Sequence, residues 1–497
     1  MKERVGLIIT PSPFLADERV FPSLGILKVA SSLELKGHEV DVIDLSGIGN
    51  YEDVVATYMS SPNRAKVVGI TATTPQFPQA VKINETIKSI DPDTKTILGG
   101  AHATMVGSAY QLDQKRNVRY RGTIAYEQLA STFDVTVIGD GEEAITEAIT
   151  TDKRVIDAGG KESPHFLQRG SLEKYPFPAR HLIDMDSYHY MIDGQNAQSM
   201  IAQLGCPFEC GFCGGRNTQS FRMIRTRTTD STLAEVDELV TKYNKRGIMF
   251  YDDELNVNNN AFVGLLEELI RYQEKNKLDL RFRGFVKAEL FTAQQAQLMY
   301  RAGFRVLLSG VESGDDYILK VMRKHTTRAI NTRWLETARA AGLQTKALMS
   351  IGHAGETTES ILNSLDWVME NRPDDVDWTI ITQYPGSPYF DKSKPHPTKQ
   401  GVWVFEDDKT GAILYSQDVN YAQRAEYYKG VPGDYTSYVW TDGLTPQQLV
   451  HMRDDVEGIS RHTLKLPPIQ SIAARQFEHS MGQRTLPSSV LRRTSNG

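Results

Sequence analysis

The sequence predicts an α/β fold in three parts: an N-terminal Rossmann-like, doubly wound parallel sheet, a partial (β/α)6 barrel of the TIM type, and a mixed C-terminal region. Three observations predict it. Short apolar runs alternate with amphipathic helical stretches over residues 1–150, and a second series of the same kind spans 196–394. After about 395 the alternation stops, and Trp, Tyr, Asp and Gly become frequent. Strands that alternate with helices assemble into parallel sheets wrapped by those helices.

The first series opens with a buried strand at 5–9. Leu24, Leu27, Ala30 and Leu33 then mark one face of a helix that Gly37 stops. Strands follow at 40–43 and 66–70, and Ala80, Ile83, Ile87 and Ile90 share a helix face. Strands at 96–98 and 135–138 end at Gly99-Gly100 and at Gly139-Asp140-Gly141. Such sheets bind ligands beyond the carboxyl ends of their strands, where these glycines fall. Residues 151–195 read as a linker rich in Gly, Pro and His. The second series has strands near 200–204, 248–251, 280–285, 305–311, 344–349 and 378–382. Six βα units make an incomplete barrel, against eight in a closed one. Residues 395–479 are expected to cap the barrel and shape a substrate pocket, with Tyr427, Tyr428, Tyr435, Tyr438 and Trp440 in the cap. A disordered tail is expected at 480–497.

At 497 residues, 40% hydrophobic and 24% charged, the chain has room for two or three globular domains. A net charge of −6 offers no general surface for nucleic acid or an anionic membrane. No apolar run approaches the roughly 18 residues of a spanning helix, and the apolar start is too short for a signal-peptide core. A cytoplasmic protein is expected, with neither nucleic-acid nor membrane partners.

Only three cysteines occur, in the run Cys206-Pro-Phe-Glu-Cys210-Gly-Phe-Cys213. A disulfide framework leaves one over. A zinc knuckle wants four ligands, and no histidine is close in sequence. A redox C-x-x-C pair leaves Cys206 unexplained. Three thiolates on one tight loop suit a 4Fe–4S cubane, because they hold three irons and leave the fourth open to a chelating ligand. Gly205, Gly211, Gly214 and Gly215 let such a loop turn tightly.

With Phe212 before its last cysteine, the C-x-x-x-C-x-x-C run after the first barrel strand resembles the signature of the radical S-adenosylmethionine (radical SAM) superfamily. The resemblance continues along the barrel. Phe250-Tyr251-Asp252-Asp253-Glu254 is similar to the acidic end of the second strand, where the family binds the SAM amino group. Gly310-Val311-Glu312-Ser313 is similar to the fourth-strand motif near the ribose and methionyl part. The run from Ile351 to Thr357 resembles a G-x-P-G-E-T turn, from which His353 and Ala354 depart, and Tyr384-Pro385-Gly386-Ser387-Pro388 resembles Y-P-G-T-P. The first 150 residues resemble the cobalamin-binding domain of one branch of the superfamily. The matching pieces are Pro22-Ser23-Leu24-Gly25, Gly37-His38-Glu39-Val40, Gly69-Ile70-Thr71-Ala72-Thr73, Gly99-Gly100-Ala101-His102 and Gly139-Asp140-Gly141-Glu142.

The resemblance implies cluster ligation by Cys206, Cys210 and Cys213. It implies SAM contacts from Phe212, Asp252, Asp253, Glu312 and Ser313, and cobalamin contacts from Thr71, Thr73, Gly99, Gly100, His102, Gly139, Gly141 and Glu142. Cobalamin domains that supply a lower axial ligand use D-x-H-x-x-G after the first strand, and residues 10–18 contain no histidine. Cobalamin is therefore expected base-off, without a protein histidine on cobalt. The activity implied is methylation of an unactivated carbon of a small biosynthetic intermediate, by way of a 5′-deoxyadenosyl radical and methylcobalamin, with a flavodoxin- or ferredoxin-type electron donor. A rearrangement or cyclisation without methyl transfer stays open, as does a non-catalytic corrinoid-binding or redox-sensing protein. Lys287, after the third barrel strand, reads as an exposed lysine.

Overall fold

A computed structural model describes residues 2–15, 17–427 and 435–467. Tyr428 and the tail expected at 480–497 lie outside the described residues. The first apolar runs form parallel strands β1 (Arg4–Ile9), β2 (Glu39–Asp44), β3 (Val67–Thr71), β4 (Lys95–Gly99) and β5 (Val135–Gly139). The stretch read as a linker adds a sixth, β6 (Val155–Ala158), whose Ala158 pairs with Gly139. Four residues that start straight after Lys153 and Arg154 gave little apolar signal, but Ile156 and Ala158 are buried against the sheet.

The strand order is β2-β1-β3-β4-β5-β6, so the chain reverses direction across the sheet between β1 and β3. Helices α1 (Leu24–Leu35), α2 (Tyr51–Ser60), α3 (Phe77–Ile90), α4 (Ala101–Arg116), α5 (Arg121–Thr132) and α6 (Gly141–Ala148) cover the sheet. Ile26, Leu33 and Ile145 of α1 and α6 pack on one face with Leu7 and Val137. Val55, Ile83, Val106 and Leu129 of α2 to α5 pack on the other with Ile8 and Leu98.

The barrel opens with a hairpin of β7 (Met191–Ile192) and β8 (Gln195–Met200). Asp193 and Gly194 at its tip both have positive φ, 46° and 77°, as a two-residue turn of the primed type requires. The first barrel strand thus ends at Met200, where sequence placed its start; the Asp-Gly turn was the missed signal. A small antiparallel ladder, β9 (Gln203–Leu204) with β10 (Arg225–Thr226), then closes the base of the cysteine loop, and α7 (Gln219–Arg222) lies within that loop.

The remaining parallel strands are β11 (Gly247–Phe250), β12 (Arg281–Phe285), β13 (Phe304–Glu312), β14 (Gln344–Ile351) and β15 (Asp375–Ile380). With β8 they make six parallel strands, and the antiparallel β7 lies at the edge. Between them run α8 (Thr229–Thr241), α9 (Asn259–Asn276), α10 (Ala293–Ala302), α11 (Asp316–Val321), α12 (Arg328–Ala340) and α13 (Thr358–Asn371). Thr228, Asn258, Thr292 and Thr357 start four of these helices by accepting a backbone N–H. After α14 (Pro388–Asp391), the C-terminal region forms a four-stranded sheet of β16 (Lys394–Pro395), β17 (Val402–Glu406), β18 (Ile413–Gln417) and β19 (Val439–Trp440), then α15 (Pro446–Leu464).

Two buried arginines are among the residues that join the halves. Arg121 at the start of α5 donates to Ser416 Oγ at 3.0 Å and to the Phe390 carbonyl at 3.0 Å, and its guanidinium lies 3.9 Å from the centre of the Phe390 ring. Arg225 of β10 pairs with Asp140 after β5 at 2.7 Å and donates to the Ser220 carbonyl at 2.6 Å.

The barrel's open edge is β15, and side chains rather than a strand complete it. Trp378 N donates to Glu457 Oε2 at 3.0 Å, and the Trp378 carbonyl accepts from Arg453 Nε at 3.1 Å. The Tyr435 hydroxyl accepts from Ile380 N at 3.2 Å and donates to the Ile380 carbonyl at 3.0 Å. An unpaired strand edge is otherwise a template for aggregation. Glu457→Leu leaves a buried N–H unpaired and strands Arg461, whose Nε lies 2.6 Å from Glu457 Oε1. The expected cost is about 3–5 kcal/mol. Urea unfolding followed by tryptophan fluorescence should show an early barrel transition, and an unchanged curve would mean that the edge is held by other contacts.

Candidate functional site

At the carboxyl ends of β1, β3, β4 and β5, on the face of α1 and α6, lies a cavity of about 210 Å³. Small residues make it. Thr71, Gly99, Gly100, Gly139, Gly141 and Glu142 line it together with apolar Leu7, Ile97, Val137 and Val29. Gly100 has φ 97°, and a Cβ there would lie 2.7 Å from Thr71 Oγ1, so the backbone itself needs this glycine. Gly99 differs: a Cβ there meets nothing within 4 Å. No protein contact demands a glycine at 99, and the space beside it is open to the cavity.

Gly25 also lines a second, larger chamber of about 540 Å³. Phe14, Glu18, Phe21, Thr73, Gln76 and Met105 wall it on the side of the first sheet; Ser199, Ile201, Tyr251 and Tyr384 wall it on the barrel side. An apolar slot beside a broad chamber, with Gly25 on the wall of both, suits a molecule with a slender tail and a wide body, as cobalamin has. No histidine lines either cavity. Glu18 accepts from Ser12 N at 2.5 Å, and burial pushes its carboxyl up to about 7.

His102, expected beside the cofactor, lines neither cavity. Its ring is buried 4.2 Å from that of Phe77, its Nδ1 lies 3.1 Å from Thr74 Oγ1, and burial lowers its pKa to about 3. It is a neutral packing residue in the first turn of α4. Sequence placed it correctly after Gly100 but gave no direction for its side chain.

The cysteine loop is held from three sides. Asp252, after β11, accepts from Ala202 N at 3.2 Å and from Gln203 N, and Asp253 accepts from Gly205 N at 3.1 Å. Cys206 N donates to the Phe221 carbonyl at 2.8 Å, Gly211 N to that of Met322 at 2.8 Å, and Tyr389 N to that of Gly211 at 3.0 Å. Gly205 has φ 90°, and a Cβ there would lie 2.2 Å from the Met223 carbonyl oxygen. Phe212 turns from the loop toward the His353 ring, 5.2 Å away, and packs on Ile318, Leu319 and Met322.

Burial pushes the Cys206 thiol up to about 12 and the Cys213 thiol up to about 11, and raises that of Cys210, against which Lys324 and Lys287 pull. Cys213 is nonetheless exposed. Both hold if it faces an enclosed space that solvent reaches. Among the described residues, no three His, Cys, Asp or Glu side chains converge on a point that would hold one metal ion. A cubane needs no such point, because each thiolate bonds a different iron. Three cysteines on one glycine-turned loop, Cys213 of them exposed, fit a 4Fe–4S cluster.

Around this loop lie charges that sequence reading did not single out. Glu254 Oε2 is buried without a hydrogen-bond partner, and burial pushes its carboxyl up to about 7. Lys324 pairs with Glu312 at 3.0 Å, and Ser350 Oγ lies 2.7 Å from Glu312 Oε2 and 2.9 Å from His353 Nε2. Burial works against the Glu312 carboxylate, yet Lys324 and Ser350 hold it below its usual range. Glu312 has φ 64° at a register shift between β13 and β14, a strained conformation kept at the end of a strand. Ser313 is occupied with Ser364 Oγ at 2.9 Å and Asp315 N at 3.1 Å.

Lys287 corrects an expectation: it is 2% exposed. Lys324 sits in an Arg-Lys-His run that reads as solvated, and Glu254 completes an acidic run whose first two members looked sufficient.

The radical SAM superfamily profile matches residues 200–368, and that of the B12 binding domain matches residues 17–130. An uncharacterized methyltransferase from Pyrococcus horikoshii is 24% identical over 406 residues, 78% of this chain and 82% of the relative. The anaerobic magnesium-protoporphyrin IX monomethyl ester cyclase of Rubrivivax gelatinosus is 23% identical over 84% of this chain and 74% of its own. The fold is similar to that of the radical SAM methyltransferase TsrM from Kitasatospora setae, a structure with cobalamin and a 4Fe–4S cluster bound. The TM-score is 0.59 at 17% identity, over 83% of this chain and 82% of that one. Both domain profiles fall on the two sheets that carry the cavities and the cysteine loop, so the chain carries a radical SAM domain that follows a B12 binding domain.

Proposed function

We propose that the protein methylates an unactivated carbon of a small biosynthetic intermediate, using a 4Fe–4S cluster, SAM and base-off cobalamin. The chamber shared by the two halves carries this reading, because residues of the barrel mouth and of the N-terminal domain's loops line the same space. The methyltransferase relative supports it.

In this reading Cys206, Cys210 and Cys213 hold the cluster. Asp252 and Asp253 are spent on the loop backbone, so Glu254, with its free buried oxygen, takes the SAM amino group. Glu312, fixed by Lys324 and Ser350, stands at the carboxyl end of β13 for the ribose and methionyl part. Thr71, Gly99, Gly100, Gly139, Gly141 and Glu142 receive the cobalamin tail, and Thr73 borders the corrin. Together the cofactors supply one-electron cleavage of a sulfonium and a methyl group for transfer. Phe14, Phe21, Tyr251 and Tyr384 put aromatic rings on the chamber wall, and water excluded there would spare a substrate radical. A flavodoxin- or ferredoxin-type protein supplies the electrons. The cyclase relative favours a second reading in which no methyl is transferred.

Four outcomes test the proposal. Anaerobic reconstitution with iron, sulfide and hydroxocobalamin should give about four irons and a single cobalt per chain with base-off absorption. Gly99→Val should lose cobalt and keep iron, and retention of both would remove the slot from the cobalamin site. Glu254→Gln should weaken SAM binding by about 10- to 100-fold, the worth of a charge-assisted hydrogen bond, measured by equilibrium dialysis; an unchanged affinity would free Glu254 of this role. Turnover with substrate should form S-adenosylhomocysteine alongside 5′-deoxyadenosine, whereas 5′-deoxyadenosine alone would select the second reading.

A further inference from the structure

Lys287 follows β12 and folds beneath the cysteine loop. Its ammonium lies 4.5 Å from the centre of the Phe208 ring, and Phe208 sits between Cys206 and Cys210. It donates to the Lys324 carbonyl at 3.2 Å. Glu289 Oε1 is 2.9 Å from it, at an angle too poor for a hydrogen bond, and both Glu289 oxygens are buried without a donor. An ammonium has three protons to give, and among the described residues Lys287 makes a single hydrogen bond. Burying a lysine is costly unless its charge is used. Here the charge is left largely unspent by hydrogen bonds and is aimed at the loop that carries the thiols. Lys324, its neighbour, is committed to Glu312.

We propose that Lys287 sets the reduction potential of the cluster on Cys206, Cys210 and Cys213, and that Glu289 sets how much of its charge the cluster feels. The inference rests on the reading of those cysteines as cluster ligands. Reduction adds one electron, and so one negative charge, in surroundings of low dielectric. A fixed cation nearby stabilises the reduced form, and a carboxylate beside that cation weakens the effect. Lys287 is thus a positioning residue for charge rather than a catalytic one.

The test is a dithionite titration of the anaerobically reconstituted full-length protein without SAM, followed by electron paramagnetic resonance. Lys287→Met should hold about tenfold less reduced cluster at a fixed poise, a shift of about 59 mV to more negative potential for one electron. Lys287→Arg should stay near the parent value. Glu289→Gln should shift the other way. Opposite signs separate an electrostatic role from a merely structural one, which would alter iron retention or move both variants alike. With iron retained, no shift in Lys287→Met, or shifts of one sign in both variants, would overturn the proposal. If Lys287→Met loses its iron, an unmoved Glu289→Gln would overturn it by itself. Failure of the parent protein to take up iron would instead overturn the cluster reading.

Discussion

Two adjacent carboxylates at the end of one barrel strand hold the cysteine loop in place. Asp252 and Asp253 receive the backbone N–H groups of Ala202, Gln203 and Gly205, so the chain leaving β8 is tied to the end of β11 before it turns into the cysteines. Burial raises both carboxyls, Asp252 to about 7, and the N–H groups oppose it. A loop rich in glycine has no conformation of its own; these bonds, with the β9–β10 ladder, give it one. The three cysteines, Glu254 and the barrel wall of the chamber all inherit their positions from it.

The fold was legible where periodicity was strong. Helix faces such as Leu24, Leu27, Ala30 and Leu33 appear as buried stripes, and five of the six barrel strands lie within a few residues of their expected places. The exceptions were short or ambiguous. Residues 155–158 had too few apolar side chains to read as a strand, and 195–200 is polar in sequence, Gln-Asn-Ala-Gln-Ser-Met, although its last four residues are buried.

The site was legible as motifs and less so as contacts. Three cysteines with one spacing read as a cluster loop because ligand number is a property of sequence. Which acid of Asp252, Asp253 and Glu254 is free for a ligand depends on where backbone N–H groups point, and sequence does not contain that. The same holds for His102, turned into the core, and for Lys287, whose burial follows from a close approach between β12 and a loop some eighty residues earlier. Lysine is rarely buried, so the ordinary expectation was the wrong one here.

The ion pair between Arg225 and Asp140 has a consequence for timing and distance. Asp140 stands between two glycines of the slot, and Arg225 lies in the strand that closes the cysteine loop. Arg225 is 2% exposed and Asp140 also accepts from Leu167 N at 3.2 Å, so water does not readily replace the pair. The gap between the two halves is therefore spanned by a strut a few ångströms long, in parallel with a covalent connection of dozens of residues. For any chemistry that crosses such a gap, misplacement by an ångström costs orders of magnitude in rate. The pair ties the rim of the slot to the base of the cysteine loop, as a spacer does between two plates.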